Sequence, residues 1–129
     1  MKVLNFEDSV YKANAIRKVL NRCGVAKIEL VSNVEDGLQM LKNAEDTGDP
    51  FDLIITDMHY PMKQGAVSDT EAGEKLVQLL QEQGKQTKVI ICSSRNMKLP
   101  GVYGCIWYLE ISDWEEELCD LVRKMEKNR

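Results

Sequence analysis

Several patterns that mark common protein classes are missing from this 129-residue sequence. It contains neither a G-x-G-x-x-G nor a G-x-x-x-x-G-K loop, which counts against a nucleotide- or flavin-binding protein. No apolar run approaches the roughly 18–20 residues of a membrane span. The opening segment 1–8 is broken by Asn5 and stopped by two acids, unlike a secretory signal. We therefore expect a cytoplasmic protein with no membrane partner.

Basic residues are not in excess, and cysteines show no paired spacing. The net charge of −4 argues against direct binding to nucleic acid, which needs a concentrated lysine and arginine face. None of the four cysteines belongs to a C-x-x-C pair or a zinc-type pattern. We therefore expect four small buried thiols, which suits a reducing cytosol.

Short apolar runs alternate along the chain with amphipathic segments, which predicts alternating strands and helices. The predicted strands are Val3–Phe6, Ala26–Val31, Phe51–Thr56, Lys88–Cys92 and Val102–Leu109. Helices are predicted from Ser9 or a neighbouring residue to Gly24, from Ser32 or Asn33 to about Asn43, from a capping box at Ser68–Glu71 to about Gly84, and from Ser112 or Asp113 to about Met125. This pattern predicts one α/β domain over residues 1–129, a doubly wound five-stranded parallel sheet covered on both faces.

Polar residues follow three of the predicted strands. Glu7 and Asp8 come after the first strand, Asp57 after the third and Ser93 after the fourth. The carboxyl ends of parallel strands meet at one sheet edge, so these side chains are expected to converge. Clustered carboxylates suit Mg²⁺, and a carboxylate can also act as a nucleophile toward a phosphoryl group.

With these features, the chain resembles the receiver domain of two-component response regulators. The matching segments are Phe6–Ser9, Phe51–Met62 and Val89–Ser94, with Pro61 and Gly65 spaced as in the family's loop after the acceptor aspartate. The resemblance covers nearly the whole chain in element order. It implies the flavodoxin-like, CheY-like strand order 2-1-3-4-5.

The resemblance also implies roles for individual residues. Asp57 corresponds to the phosphoacceptor and Ser93 to the switch hydroxyl. Asp8 corresponds to a direct Mg²⁺ ligand, Glu7 to a ligand through water, and the main-chain carbonyl of His59 to the third protein ligand. The implied phosphodonor is a sensor histidine kinase, a phosphotransfer protein or a small molecule. The chain would then signal to an unknown output protein.

Three departures from the family pattern stand out. Tyr108 aligns where the family has a lysine at the end of the fifth strand, and Cys105 aligns with its switch aromatic. Only residues 95–100 separate Ser94 from Gly101, so the fourth helix is expected to be missing or very short. Lys63, Arg95 and Lys98 are candidates to replace the lysine.

These observations give one first interpretation and two alternatives. The first is a single-domain response regulator that accepts a phosphoryl group on Asp57 with Mg²⁺ and is not a conventional enzyme. The second is a degenerate receiver that acts as a phosphorylation-independent interaction module. The third is a phosphohydrolase with Asp57 as nucleophile. It is disfavoured because such enzymes usually place a second acid where this chain has His59.

Overall fold

The computed structural model describes residues 1–128 of the chain. The strands are β1 Lys2–Phe6, β2 Lys27–Val31, β3 Leu53–Thr56, β4 Tyr60–Pro61, β5 Ser68–Asp69, β6 Lys88–Ser93 and β7 Gly104–Trp107. The helices are α1 Val10–Arg22, α2 Val34–Asp46, α3 Ala72–Glu82 and α4 Trp114–Lys127. Within this described range, no helix is both long and apolar enough to cross a membrane.

Five of the strands form one parallel sheet in the order β2-β1-β3-β6-β7. Since β4 and β5 lie outside this sheet, its order is the predicted 2-1-3-4-5. The register places Phe6 beside Thr56, so Glu7 and Asp57 leave neighbouring strands at the same level. The predicted doubly wound α/β fold is confirmed.

The central strand β3 is buried along its whole length, because helices cover both faces of the sheet. Leu53 and Ile55 pack into a cluster with α1 and α4 residues, whereas Ile54 packs into a second cluster with α2 and α3 residues. This alternation follows from the two-residue period of a strand. It holds the end of β3, and therefore Asp57, in a fixed position between two packed layers.

Two helix starts agree with the predicted caps and one differs, while α4 begins after Asp113 as predicted but without a capping hydrogen bond to that side chain. The side chains of Ser9 and Asn33 accept hydrogen bonds from main-chain N–H groups in the first turns of α1 and α2. The predicted capping box at Ser68–Glu71 is wrong, because Ser68 and Asp69 form strand β5 and α3 begins at Ala72. Asp69 Oδ1 instead accepts a hydrogen bond from the Glu71 N–H at 2.8 Å.

The segment predicted to be a loop after Asp57 contains a hairpin. Strands β4 and β5 pair antiparallel, with Gly65 at a positive φ of 80° in the connecting turn. Tyr60 anchors the hairpin, since its ring is fully buried and its hydroxyl lies 2.7 Å from Thr56 Oγ1. Burial raises the pKa of Tyr60 above its ordinary value, so the phenol keeps its proton. The Thr56 hydroxyl donates to the main-chain carbonyl of Asp57 at 2.7 Å, which links the hairpin anchor to the backbone of the site.

Thr56→Val is expected to lower the free energy of unfolding by about 1–3 kcal/mol, because the buried Tyr60 hydroxyl loses its partner. Urea unfolding measures the change, and Thr87→Val makes the same chemical change at a half-buried position away from the hairpin. Adding Tyr60→Phe to Thr56→Val should recover part of the loss, since it removes the unsatisfied group. A full loss that persists in the double variant would contradict this role of the hydrogen bond.

The connection between β6 and β7 consists of bends, a turn and irregular backbone. Residues 94–103, all of them described, form no helix, as predicted. Strand β7 is shorter at both ends than the predicted Val102–Leu109, so Tyr108 lies just beyond it. The Tyr108 N–H still donates to the Ser93 carbonyl at 2.7 Å, which keeps Tyr108 beside the end of β6.

Two cysteines are joined in the fold. Cys23, at the end of α1, forms a disulfide with Cys119 of α4, with their Cα atoms 5.8 Å apart. The prediction of four small buried thiols is therefore wrong for this pair. It holds for Cys92, which is free and buried, and only in part for Cys105, which is free but half-buried. Sequence spacing gave no signal for a bond between residues 96 positions apart.

Candidate functional site

Three predicted acids meet at the carboxyl edge of the sheet. Glu7, Asp8 and Asp57 each offer a carboxylate oxygen, and these oxygens all lie within 4.8 Å of one another. Glu7 is buried, Asp57 is partly exposed and Asp8 is exposed. The expected convergence is confirmed, because β1 and β3 are adjacent parallel strands that end at the same level.

Both carboxylate oxygens of Glu7 have contacts within the protein. Its Oε2 accepts a hydrogen bond from the Ser9 N–H at 3.1 Å. Its Oε1 is buried and contacts an ammonium at 3.0 Å. Burial raises the pKa of Glu7, and the neighbouring Asp57 carboxylate raises it further. The three clustered carboxylates fit the donor set of a hard divalent cation such as Mg²⁺, which would share Glu7 with this ammonium.

Hydrogen bonds with main-chain groups hold Asp57 at the end of β3. Its N–H donates to the Phe6 carbonyl at 3.1 Å, and its Oδ1 accepts from the Met58 N–H at 2.7 Å. The following backbone is held against α3, where the Gly73 N–H donates to the Met58 carbonyl at 3.2 Å. The carboxylate therefore has a defined orientation at the floor of a cleft.

Ser93 lies at the same edge, at the end of β6. It is buried, and its Oγ accepts a hydrogen bond from the Arg95 N–H at 3.1 Å. The Arg95 guanidinium turns away to the Thr70 carbonyl at 3.0 Å. Ser93 therefore lines the cleft as expected, while the Arg95 side chain bridges to the segment after the hairpin.

A fourth charged residue at this edge was missed by sequence reasoning. Lys12 of α1 is buried, and its Nζ lies 3.0 Å from Glu7 Oε1 and 3.3 Å from Asp57 Oδ1. It also donates to the Cys92 carbonyl at 2.6 Å. One ammonium thus contacts groups at the ends of β1, β3 and β6.

The sequence did carry a signal for this lysine. Lys12 stands four, seven and eleven residues before Ile16, Val19 and Cys23, so it shares the inward face of α1. The predicted inward face began instead at Val10, which the structure leaves exposed. A lone cation in an apolar stripe indicates a buried partner of opposite charge, because an unpaired buried charge is very costly.

The surroundings of Lys12 favour its charged form. Burial alone lowers the pKa of the ammonium, but the Cys92 side chain and the Glu7 and Asp57 carboxylates together raise the pKa above its ordinary value. The Tyr108 ring adds a further favourable contact, since its centroid lies 5.1 Å from Lys12 Nζ. Tyr108 thus contacts the ammonium through its ring.

The other proposed replacements for the family lysine lie elsewhere. Lys63 is exposed in the hairpin turn and Lys98 is exposed in the β6–β7 connection, and neither lines the cleft that contains Asp57. Arg95 lines the cleft, but its guanidinium bonds to Thr70. His59 is exposed at the cleft, as expected, and the role of its carbonyl stays a prediction.

These side chains line an open cleft of about 480 Å³. Ser68 and Thr70, from the unpredicted strand β5 and the turn after it, form part of its wall. Larger clefts of about 660 Å³ and 720 Å³ lie between α2 and α3 and between α1 and α4. The smaller cleft is the candidate site because it alone among the three gathers the converging acids, Ser93 and the buried ammonium.

Comparison with known proteins identifies the fold. No protein-family model matches the chain, and no curated protein matches its sequence. Many solved structures are similar, including the following three. The signal receiver domain of a putative LuxO repressor protein from Vibrio parahaemolyticus has a TM-score of 0.73 and 20% identity, with 98% of this chain and 90% of that chain covered. The signal receiver domain of an HD domain-containing protein from Pseudomonas fluorescens has a TM-score of 0.72 and 15% identity, covering 98% and 94%. The chemotaxis response regulator CheY4 of Vibrio cholerae has a TM-score of 0.66 and 20% identity, covering 96% and 97%. The chain therefore has the CheY-like receiver fold over nearly its whole length.

Proposed function

We propose that this chain is a response-regulator receiver that accepts a phosphoryl group on Asp57 and acts in two-component phosphorelay signalling in the cytoplasm. The observation that supports this most strongly is the approach of the Asp57, Glu7 and Asp8 carboxylate oxygens to within 4.8 Å at an open cleft. A phosphohistidine of a sensor kinase or a phosphotransfer protein would be the donor. The output would be the binding of a partner protein.

Each residue of the site has a part in the proposed transfer. A carboxylate oxygen of Asp57 forms the new bond to phosphorus, and its Met58 N–H contact fixes the orientation of the attack. Ser93 supplies a hydroxyl for a phosphoryl oxygen, while Ser94 is small and exposed and leaves the approach open. Catalysis would consist of positioning and charge neutralisation, not turnover as in a conventional enzyme.

Mg²⁺ is the proposed cofactor, held by Glu7, Asp8, Asp57 and the main-chain carbonyl of His59. When bound, such an ion neutralises the charge that builds up on phosphoryl oxygens. The protein's own contribution is the cluster of carboxylates, whose oxygens lie within 4.8 Å of one another.

The proposal predicts a phosphate adduct. Wild-type protein incubated with acetyl phosphate and Mg²⁺ should gain the mass of one phosphoryl group, measured on the intact protein. Asp57→Asn should gain none, because its amide is a poor nucleophile. Asp69→Asn, a matched change outside the acid cluster, should leave the adduct unchanged. An unmodified wild type under conditions that label another receiver domain would sink the proposal.

The degenerate-receiver alternative rests on the missing strand lysine and the missing helix between β6 and β7. The missing strand lysine is a weaker argument for this alternative, because Lys12 places a buried cation in contact with Asp57. The phosphohydrolase alternative stays disfavoured, since the residue two positions after Asp57 is an exposed histidine. Release of phosphate with repeated turnover would revive it.

A further inference from the structure

The ammonium of Lys12 contacts the Asp57 carboxylate, although Lys12 belongs to helix α1 and not to a strand of the sheet. It extends from the first turn of α1 and contacts Asp57 Oδ1 at 3.3 Å. Its other contacts are Glu7 Oε1, the Cys92 carbonyl and the Tyr108 ring. Together these four contacts come from the ends of β1, β3 and β6 and from the residue after β7.

A phosphoryl group on Asp57 would need a cation at this place. It adds about −1.5 to −2 charges and three acceptor oxygens to a site that already holds Glu7 and Asp8. Among the lysines and arginines of residues 1–128, Lys12 is the one with an ion-pair contact to Asp57. The Arg95 guanidinium is exposed and bonded to Thr70.

Accordingly, we propose that Lys12 is a catalytic residue whose ammonium pairs with the phosphoryl group transferred to Asp57, so that α1 supplies the cation that β7 lacks at Tyr108. This inference rests on the proposed function of Asp57. Lys12 would hold the developing charge during transfer and then hold the product. Tyr108 would act as a positioning residue, because its ring centroid lies 5.1 Å from the ammonium.

The transfer is balanced without a proton from Lys12. An oxygen of the Asp57 carboxylate forms a bond to phosphorus, and the bond from phosphorus to the donor's nitrogen or oxygen breaks. The leaving group keeps that electron pair. The ammonium retains its protons and exchanges part of its contact with Asp57 for contacts with phosphoryl oxygens. Hydrolysis by water at phosphorus later returns Asp57 and releases inorganic phosphate.

The opposing interpretation is that Lys12 only neutralises two buried acids. A structural ion pair of this kind would affect folding and leave phosphoryl binding intact. The two roles separate if binding is measured on folded variants. Beryllofluoride, a mimic of the phosphoryl group on a carboxylate, provides a readout that does not depend on the donor.

The test compares wild type with Lys12→Met, Lys12→Gln and Lys12→Met/Tyr108→Lys in the presence of Mg²⁺. Fluorine NMR measures beryllofluoride binding, and intact mass measures the rate of adduct formation with acetyl phosphate. Loss of one charge-assisted contact should weaken beryllofluoride binding by about tenfold to one hundredfold. A lysine at position 108 should restore part of the binding. Lys18→Met removes an exposed charge from the same helix and should change nothing.

The outcomes distinguish the two proposals. If the wild type binds and the folded Lys12 variants bind equally well, Lys12 has no such role and the function of Asp57 stands. If the wild type forms no adduct and binds no beryllofluoride, both proposals fail. If the variants do not fold, the test uses isotope-labelled wild-type protein and follows the NMR resonance of the Lys12 side-chain nitrogen. It should shift on addition of beryllofluoride, and an unchanged resonance would overturn the proposal.

Discussion

Replacing Gly73 with alanine is expected both to lower the stability of the protein and to displace the main chain of Asp57. A Cβ atom at this position of α3 would lie 2.3 Å from the main-chain oxygen of Asp57 and 3.1 Å from the Cα of Met58. The first neighbour is backbone, so no side-chain rotation relieves the contact. The strand end or the helix has to move.

The expected loss of stability in Gly73→Ala is opposite in sign to the usual effect of replacing a helical glycine with alanine. Alanine in a helix interior is ordinarily favoured over glycine by about 1 kcal/mol. Overpacking against a well-packed region costs about 1–3 kcal/mol and occasionally more, so a net loss of stability is expected for Gly73→Ala. Since the displaced atoms belong to Asp57 and Met58, phosphoryl uptake should fall as well.

Urea unfolding and the acetyl phosphate assay measure these two effects on the same variant. Gln78→Ala is the matched control, because it places an alanine at an exposed position of the same helix and should be nearly neutral. A Gly73→Ala protein with wild-type stability and wild-type uptake would contradict the prediction and show that α3 shifts away from β3 without cost. Full stability with reduced uptake would locate the effect in the Asp57 backbone alone.

The second large effect is expected from the Cys23–Cys119 disulfide. It closes a loop across a sequence separation of 96. Cross-links of this length restrict the unfolded chain strongly, and loss of the bond typically costs about 2–4 kcal/mol. That is a large part of the roughly 5–15 kcal/mol that keeps a domain folded. Cys23→Ala/Cys119→Ala should therefore unfold at clearly lower urea concentration, as should the reduced wild type.

Alkylation of the unfolded chain checks the bond itself. Without reductant two thiols should react, and with reductant four. In the folded protein Cys92 should stay unmodified near neutral pH, since burial raises its pKa to about 12. Cys105→Ala is the control for loss of an unpaired cysteine. Four reactive thiols without reductant would refute the disulfide and agree with the expected reducing cytosol, where disulfides are uncommon.

The sequence was a good guide to the sheet and to the acids. Apolar runs such as Leu53–Thr56 are long enough to mark a buried strand, and the rule that parallel strands end at one edge brings Glu7, Asp8 and Asp57 together. These are properties of local pattern and topology. They do not depend on the details of packing.

What the sequence did not predict depends on contacts between distant segments. The strands β4 and β5 are two residues each, too short for a periodic signal, and they form because Tyr60 is buried beside Thr56. The disulfide requires knowing that α1 and α4 are adjacent. Lys12 was assigned no role because its partners are spread over three strands, although its place in the apolar stripe was visible.

The disulfide links α1, a helix of the candidate site, covalently to α4. Helix α1 is held near its start by the ion pairs of Lys12 and at its end by a covalent bond to α4. Contacts at both ends limit how far α1 can shift along its own axis. While the bond is intact, a displacement of α1 at its Cys23 end is transmitted to α4. Reduction removes that covalent link and leaves only the packing between the two helices.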